Sequence, residues 1–596
     1  MLSFIVCYGI IYIGCDDMFI KLVKGKTNKK GTLVYLVEGY RDHDGKSKHR
    51  TIKSYGYLED LEKDDPNILD KLKKEAKEMD NETVVSLMIN TLTPNLESST
   101  PLNYGYFFLD SIYEALKLPM FINNHSRGYK FNYDINKILK LLVYSRILNP
   151  DSKKATFEDK DRFFNMKFDF SLDDMYRSLS IMNDFKEDIE VWIHNNITEL
   201  IGRDTTLVFY DVTNYYFEIE YDDEDDIDED GNLLEPGLRK KGVSKEYRPN
   251  PIIQMGMFID RNGIPIAYKL FSGNTNDKVT LLPILEEMKV KYNLGRVIVV
   301  GDKGLNSGNN LLFIKDNNDG YVVAQQIRKR KKEMIDKVLD ETGYQYNANK
   351  TFKMKSWIED KLVKDDKGQT HTLKEKVVCF WSKDYEDREK YKRGNLEDLI
   401  KKFKDNPSLY TASNAWGVKK YLKEKHIEKA TGEIKKKSPY LIFDEEKYNR
   451  DCSLDGYYML VTSELGLPNE EIIEHYRGLW RIEESFGILK GDLEGRPVYV
   501  WTNEHIQAHF LICYISLVIM RILQYKLGYK YSAEAIQKAL NEATVNLISK
   551  EIYLVNKQNE VYKEIENVFN VRFDKAYAKN TDLKKIKSEA YNIFNH

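Results

Sequence analysis

Cysteine is scarce and scattered: five in 596 residues, at Cys7, Cys15, Cys379, Cys452 and Cys513, with no CxxC pair. That excludes a disulfide scaffold and a cysteine-built zinc module, and makes a reducing cytosol the expected compartment. An excess of charge of either sign is also missing, since the net charge is −3. Bulk charge therefore neither favours nor excludes a nucleic-acid partner, and the placement of charge has to decide. Long hydrophobic runs are few. The opening "MLSFIVCYGIIYIGC" lacks a basic flank and a small-residue cleavage site, and falls short of the roughly 20 residues a membrane span takes. Residues 1–17 read as an upstream-start artefact or a short hydrophobic leader ahead of Met18. The run "IQAHFLICYISLVIMRILQYKL" at 506–527 reads as a buried core helix. No membrane partner is expected.

What is present is ample apolar content, 42% of the chain, and enough length for roughly three to four domains or sub-domains. Residues 32–55 alternate as two strands around Asp44-Gly45, a hairpin signal. The same piece holds "GYRDHDGKS", whose glycines stand one residue too far apart for a phosphate-binding loop. From 62 to about 203 the apolar spacing turns helical, as in "DINKILKLLVYSRIL". Beyond 205 come five strand candidates: "TLVFYDVT", "PIIQMGMFID", "IPIAYKLFSG", "RVIVVGDKG" and "YVVAQQI". The run "NDKVTLLPILEEMKVKY" puts a helix between the third and fourth. Three strands, a helix, a strand, a helix and a strand predict an α/β layer with mixed pairing. Ten acidic residues crowd "EIEYDDEDDIDED" at 218–230, which reads as a solvated, flexible loop. Residues 328–455 are basic and less periodic, with "RKRKK" at 328–332 and "KKK" at 435–437, and interrupt the α/β unit. The tail past 545 is rich in Lys and Asn and carries no signal.

The chemistry concentrates in "YRGLWRIEESFGILK", 476–490. Apolar Ile472, Leu479, Ile482, Phe486, Leu489 and Leu493 form the core stripe of a helix starting near Pro468-Asn469. Tyr476, Glu483 and Lys490 recur every seven residues, close to two helical turns, one position round from that stripe and so at the edge of a cleft. Asp211 ends the first α/β strand and Asp302 follows the fourth. Two strand-end aspartates and a helical glutamate crossing them can make a three-carboxylate cluster. Such a cluster holds only with bound cations or added protons, and hard oxygen ligands suit Mg²⁺ or Mn²⁺. Two such ions suit in-line displacement at phosphorus. Glu484 is the rival for the third carboxylate. Trp480 offers a face for a displaced base, against plain packing in the core. His505 and His509 have helical metal-pair spacing but no HExxH glutamate and no third ligand.

"YRGLWRIEESFGILK" resembles the Y-R-E-K signature of DDE transposases from bacterial and archaeal insertion sequences. "FYDVTNYYFE" and "VVGDKGL" resemble their two aspartate motifs; "NPIIQMGMFIDRNGIPIAYKLFSGNTND" and "RPVYVWTNEHIQAHF" are similar to the family too. The resemblance implies a ribonuclease-H-like mixed sheet with an insertion before the last catalytic helix. It implies Asp211, Asp302 and Glu483 as catalytic metal ligands, with Tyr476 and Lys490 on the phosphates of the element's ends. The signature arginine, three residues after the tyrosine, is replaced by Leu479, leaving Arg477 or Arg481 to serve. The organisation expected is a hairpin segment at 1–61, a helical region for DNA-end recognition at 62–204, and a catalytic domain split into 205–327 and 456–545. The basic insertion at 328–455 divides it, and a tail follows at 546–596. The expected function is a transposase using Mg²⁺ or Mn²⁺, two ions, to cut element ends and transfer them into target DNA. The expected setting is a homodimer on double-stranded DNA, in the cytoplasm at the nucleoid. The alternatives are a metal-dependent nuclease of the same fold without strand transfer, and a transposase-derived DNA-binding protein that has lost catalysis.

Overall fold

The computed structural model describes residues 14–24, 31–41, 47–79, 100–365, 367–406, 417–425, 440–549, 552–556 and 558–591. The chain forms two compact units, Met1–Ser98 and Ser99–His596. The first is a three-stranded antiparallel sheet of β1 (Gly14–Lys24), β2 (Thr32–Arg41) and β3 (Ser47–Tyr57), with β2 in the middle. β2 and β3 are the expected hairpin pair; their Asp44-Gly45 turn lies outside the described residues, as do residues 1–13 and the 435–437 lysines. β1 was not expected, and it starts ahead of Met18.

The second unit opens with helices, among them α1 (Ile135–Leu148) and α2 (Leu172–Asp184). Asp134 caps α1 by accepting from the Lys137 N–H, and Ser171 with Asp174 forms a reciprocal capping box on α2. All five strand candidates are strands: β4 (Leu207–Tyr216), β5 (Ile252–Ile259), β6 (Pro265–Ser272), β7 (Ile298–Gly301) and β8 (Gly320–Ala324). The helices between them are α3 (Leu281–Lys291) and α4 (Gly308–Asp316). β4, β5 and β6 pair antiparallel in succession, while β7 lies parallel to β4 and β8 parallel to β7. The spatial order β6-β5-β4-β7-β8 makes the mixed sheet that the order of strands and helices predicts, in the ribonuclease-H-like arrangement that the family resemblance implies.

The basic region does not stand apart from this sheet. Its strands β9 (Gln345–Tyr346), β10 (Phe352–Lys364) and β11 (Thr370–Ser382) join through β12 (Tyr457–Thr462) to β8, giving nine strands in one sheet. Arg328, the first residue of "RKRKK", is half-buried and held by Glu389 at 2.8 Å and Asp455 at 2.9 Å. The acidic stretch is exposed yet tied down. Asp223 takes the Arg239 guanidinium at 2.6 Å and Asp225 the Lys240 ammonium at 2.8 Å.

The signature segment is two helices rather than one: α5 (Asn469–Arg477) and α6 (Trp480–Lys490). At the junction the Leu479 and Arg481 N–H groups reach back only three residues, to the Tyr476 and Gly478 carbonyls at 3.1 Å, which tightens the turn. Gly478 is required there, because a Cβ would stand 2.5 Å from Cζ of Phe209 on β4. Pro468 takes the cap position of α5, which starts at Asn469 as expected and has no side-chain cap. All six residues of the apolar stripe are buried, from Ile472 to Leu493. The apolar run at 506–527 is α7 (Asn503–Lys526), the one described helix long and apolar enough to cross a membrane. It is enclosed by protein instead, packed against α1, α2 and β6, with the Tyr514 hydroxyl donating to the Ile266 carbonyl at 2.8 Å.

Candidate active site

Asp211 sits within β4 and Asp302 directly follows β7. Because Tyr210 pairs with Gly301 in the parallel register, the next residue on each strand is an aspartate, and the two lie side by side. Asp302 is anchored by accepting from the Lys303 N–H at 2.6 Å, where it caps a short 3₁₀ turn. Asp211 is partly buried. Burial pushes its carboxyl up from 3.8 to about 6, with the negative charges of Asp302 and Asp277 adding to the effect and the Lys245 ammonium opposing it. Lys245 donates to the Val212 carbonyl, so a protein cation already stands beside Asp211.

Helix α6 packs on β4 and carries Glu483, exposed and without an ion-pair partner among the described residues. Tyr476 links it to the aspartates. Burial chiefly, then the neighbouring Tyr458 and the charges of Asp302 and Glu483, raise its phenol far above the ordinary range. It is therefore a neutral donor lying in the field of both carboxylates. Glu484 is ruled out as the free acid: it pairs at 2.7 Å with Arg521, which is fully buried. Its charge is committed to the core of α7.

Lys490 lies over the Tyr215 ring at 5.5 Å and pairs with Glu246 at 3.0 Å, and burial lowers its ammonium. Arg496 pairs with the same Glu246. Trp480 is 49% exposed, so it does not pack in the core, and the Arg481 guanidinium sits 5.3 Å from its ring centroid. Arg481 turns towards Gly263, on a different side of α6 from Glu483. Of the site residues expected from sequence, Asp211 and Asp302 lie side by side, and Tyr476 feels the charges of Asp302 and Glu483. Lys490 follows Glu483 along α6, while exposed Trp480 and half-buried Arg481 form a separate pair. Lys245, Glu246 and Arg496 were missed; nothing in "VSKEYRP" or "GRPVY" marks them before the fold brings them to Lys490. The His505–His509 zinc reading fails on geometry. His509 is buried with Nδ1 taken by Lys153 at 2.7 Å and Nε2 by the Gly495 carbonyl at 3.2 Å.

Among the described residues no three acids, histidines or cysteines are already closed into a cage. The donor set still fits a hard divalent ion: paired aspartates on rigid strand ends, one held near pH 6 by burial and like charge, with a third carboxylate free on α6.

Two family models match the chain: the transposase DDE domain over residues 249–519, and the IS1634 family transposase N-terminal domain over 20–84. The chain belongs to the DDE transposases of insertion sequences. The DDE match spans Asp302, Tyr476, Glu483 and Lys490, while Asp211 precedes it. Among solved structures, this transposase is similar to a piggyBac transposase synaptic complex with hairpin DNA, at 10% identity and TM-score 0.33 over 82% of this chain and 84% of that one. It is also similar to a Mos1 transposase paired-end complex with the left transposon end, at 12% identity and TM-score 0.14 over 33% and 60%. No curated protein matches it by sequence. The transposase is a DNA-processing enzyme, and membership of its family implies dependence on a divalent metal.

Proposed function

We propose that the transposase cuts the ends of its own element and joins them to target DNA at a site built from Asp211, Asp302 and Glu483. The observation that carries this is the pair of aspartates adjacent on two parallel strands, with Tyr476 in the field of both Asp302 and Glu483. The three carboxylates would hold Mg²⁺ or Mn²⁺, two ions. Metal held there supplies Lewis acidity to the attacking and leaving oxygens. Tyr476, neutral at any physiological pH, donates a hydrogen bond to a phosphate oxygen. Lys490 and Arg496 exchange Glu246 for the DNA backbone and fix its register. Trp480, exposed with the half-buried Arg481 guanidinium beside it, offers a stacking face to a base beside the cut.

In the first reaction a water oxygen bonds to phosphorus and the P–O3′ bond breaks, leaving a 3′-hydroxyl on the element. In the second that hydroxyl attacks a target phosphodiester, forming a new P–O3′ bond and releasing the target's 3′ oxygen. The helical segment before residue 205 is assigned to recognition of the terminal inverted repeats, and two ends processed together call for a homodimer on DNA at the nucleoid. The experiment is end cleavage of duplex carrying the element's inverted repeat. Asp302→Ala should bind the duplex and leave it uncut with Mg²⁺ or Mn²⁺; cutting by that variant would remove the assignment. Hydrolysis of a pre-cut end with no joined product would reduce the enzyme to a nuclease.

A further inference from the structure

Beyond the carboxylates, a cavity of about 140 Å³ opens between the end of α1, α2 and the loop that follows α6. Its walls include Arg146, Lys153, Tyr176, Arg496, Tyr499 and His509. Arg146 and Lys153 are 6% and 5% exposed, and among the described residues neither has a carboxylate partner. Arg146 spends its terminal nitrogens on the carbonyls of Leu493 and Glu494 at 3.3 Å and of Asp151 at 3.1 Å, and its Nε is buried with no acceptor. Lys153 has only the neutral imidazole of His509, and burial together with Arg146 pulls its ammonium down to about 7. The acids at the rim, Asp151 and Glu494, are exposed, and Asp151 accepts from the Ser152 N–H at 2.6 Å. A buried guanidinium beside a buried amine that sheds part of its charge for want of a counter-ion is the setting an anion would relieve. About half of the cavity's lining is polar, and it has room for a tetrahedral oxyanion, given the roughly 30 Å³ that one water occupies in the liquid. It adjoins the candidate site, because Arg496 in its wall shares Glu246 with Lys490. Tyr499, 59% exposed, stands at its mouth as a stacking surface.

We propose that this cavity is a phosphate subsite for the DNA strand leaving the active site, in which Arg146 and Lys153 take the non-bridging oxygens of one phosphodiester and Tyr499 stacks on the adjoining base. It rests on the DNA-strand reading of the carboxylate site. It adds a contact more than one ion pair away from Lys490. Neither Arg146 nor Lys153 touches the carboxylates, so they are positioning residues.

The test is fluorescence anisotropy of a labelled oligonucleotide of the element's end, titrated across salt with Lys153→Met, Lys153→Arg and the parent. Lys153→Met should weaken binding about tenfold and lower the slope of log K against log salt by about 1, and Lys153→Arg should restore the slope. Unchanged affinity and slope in a folded Lys153→Met protein would overturn the subsite. So would a loss of inorganic phosphate competition with DNA binding untouched, which would make the ligand a free phosphate. Should Lys153→Met fail to fold, acetylation of Lys153 in the parent decides: protection by the oligonucleotide is expected, and equal labelling with and without it refutes the proposal. A parent protein that binds no DNA would instead fail the underlying reading.

Discussion

Asp211→Asn should make the metal-free transposase more stable while abolishing cleavage. Raising a carboxyl from 3.8 to about 6 means that the fold disfavours its ionised form. At about 1.4 kcal/mol per pH unit, that is about 3 kcal/mol at most, and about 1–3 allowing for partial solvent access. The sign follows from the direction of the shift. A carboxyl raised on folding helps the native state below its unfolded value near 3.8, and that help disappears as pH climbs through about 6. Above pH 6 the parent carries the whole penalty and the amide carries none. Thermal unfolding in EDTA at pH 7 should therefore show Asp211→Asn melting higher, with the gap closing as pH falls towards 4. Magnesium should reverse the order, since a ligand at a hundredfold its Kd stabilises by about 2.7 kcal/mol and the amide has lost a ligand atom. An amide variant less stable than the parent in EDTA at pH 7, or a gap indifferent to pH, would refute the electrostatic account of the site.

The two neighbouring glutamates should separate cleanly. Glu484→Gln should cost about 1–3 kcal/mol by leaving buried Arg521 uncompensated, whereas Glu483→Gln should leave the melting temperature within about 0.5 kcal/mol of the parent and stop cleavage. Glu246→Gln should free Lys490 and Arg496, tighten DNA binding and steepen its salt dependence by about 1 to 2 in slope, read by anisotropy. Gly478→Ala should cost about 1–3 kcal/mol from the clash with Phe209, seen as a lowered melting temperature, with cleavage impaired because α6 must shift.

The core sheet was legible because β4 to β8 are short, almost wholly buried apolar runs bounded by turn residues. The hairpin of β10 and β11 was hidden for an opposite reason: its inward positions 353 and 355 are lysines. Lys355 is satisfied by the Lys337 carbonyl at 2.6 Å and by that of Asp340, and Lys353 lies 4.6 Å from the Tyr344 ring centroid and 5.1 Å from that of Tyr457. Buried charge with aromatic and carbonyl partners erases the alternation that would have announced the strands. The places of Asp211 and Asp302 at neighbouring strands and of Glu483 on a helix were readable because each sits at a fixed offset from an apolar pattern. The exchange of Lys490 with Glu246 was not, since 244 residues separate them and only the fold makes them neighbours. The break at Gly478 was likewise invisible to helical periodicity, which continues through it unchanged, and only the close approach of Phe209 explains it.

The convergence of three distant carboxylates on metal is best tested by loading the transposase with Fe²⁺ in place of Mg²⁺ and generating hydroxyl radicals with ascorbate and peroxide. Radicals cut backbone beside the ion, so fragments ending near Asp211, Asp302 and Glu483 should appear together, and excess Mg²⁺ should suppress all three in parallel. Cuts that omit any one of these positions, or that respond to Mg²⁺ independently, would contradict a shared centre.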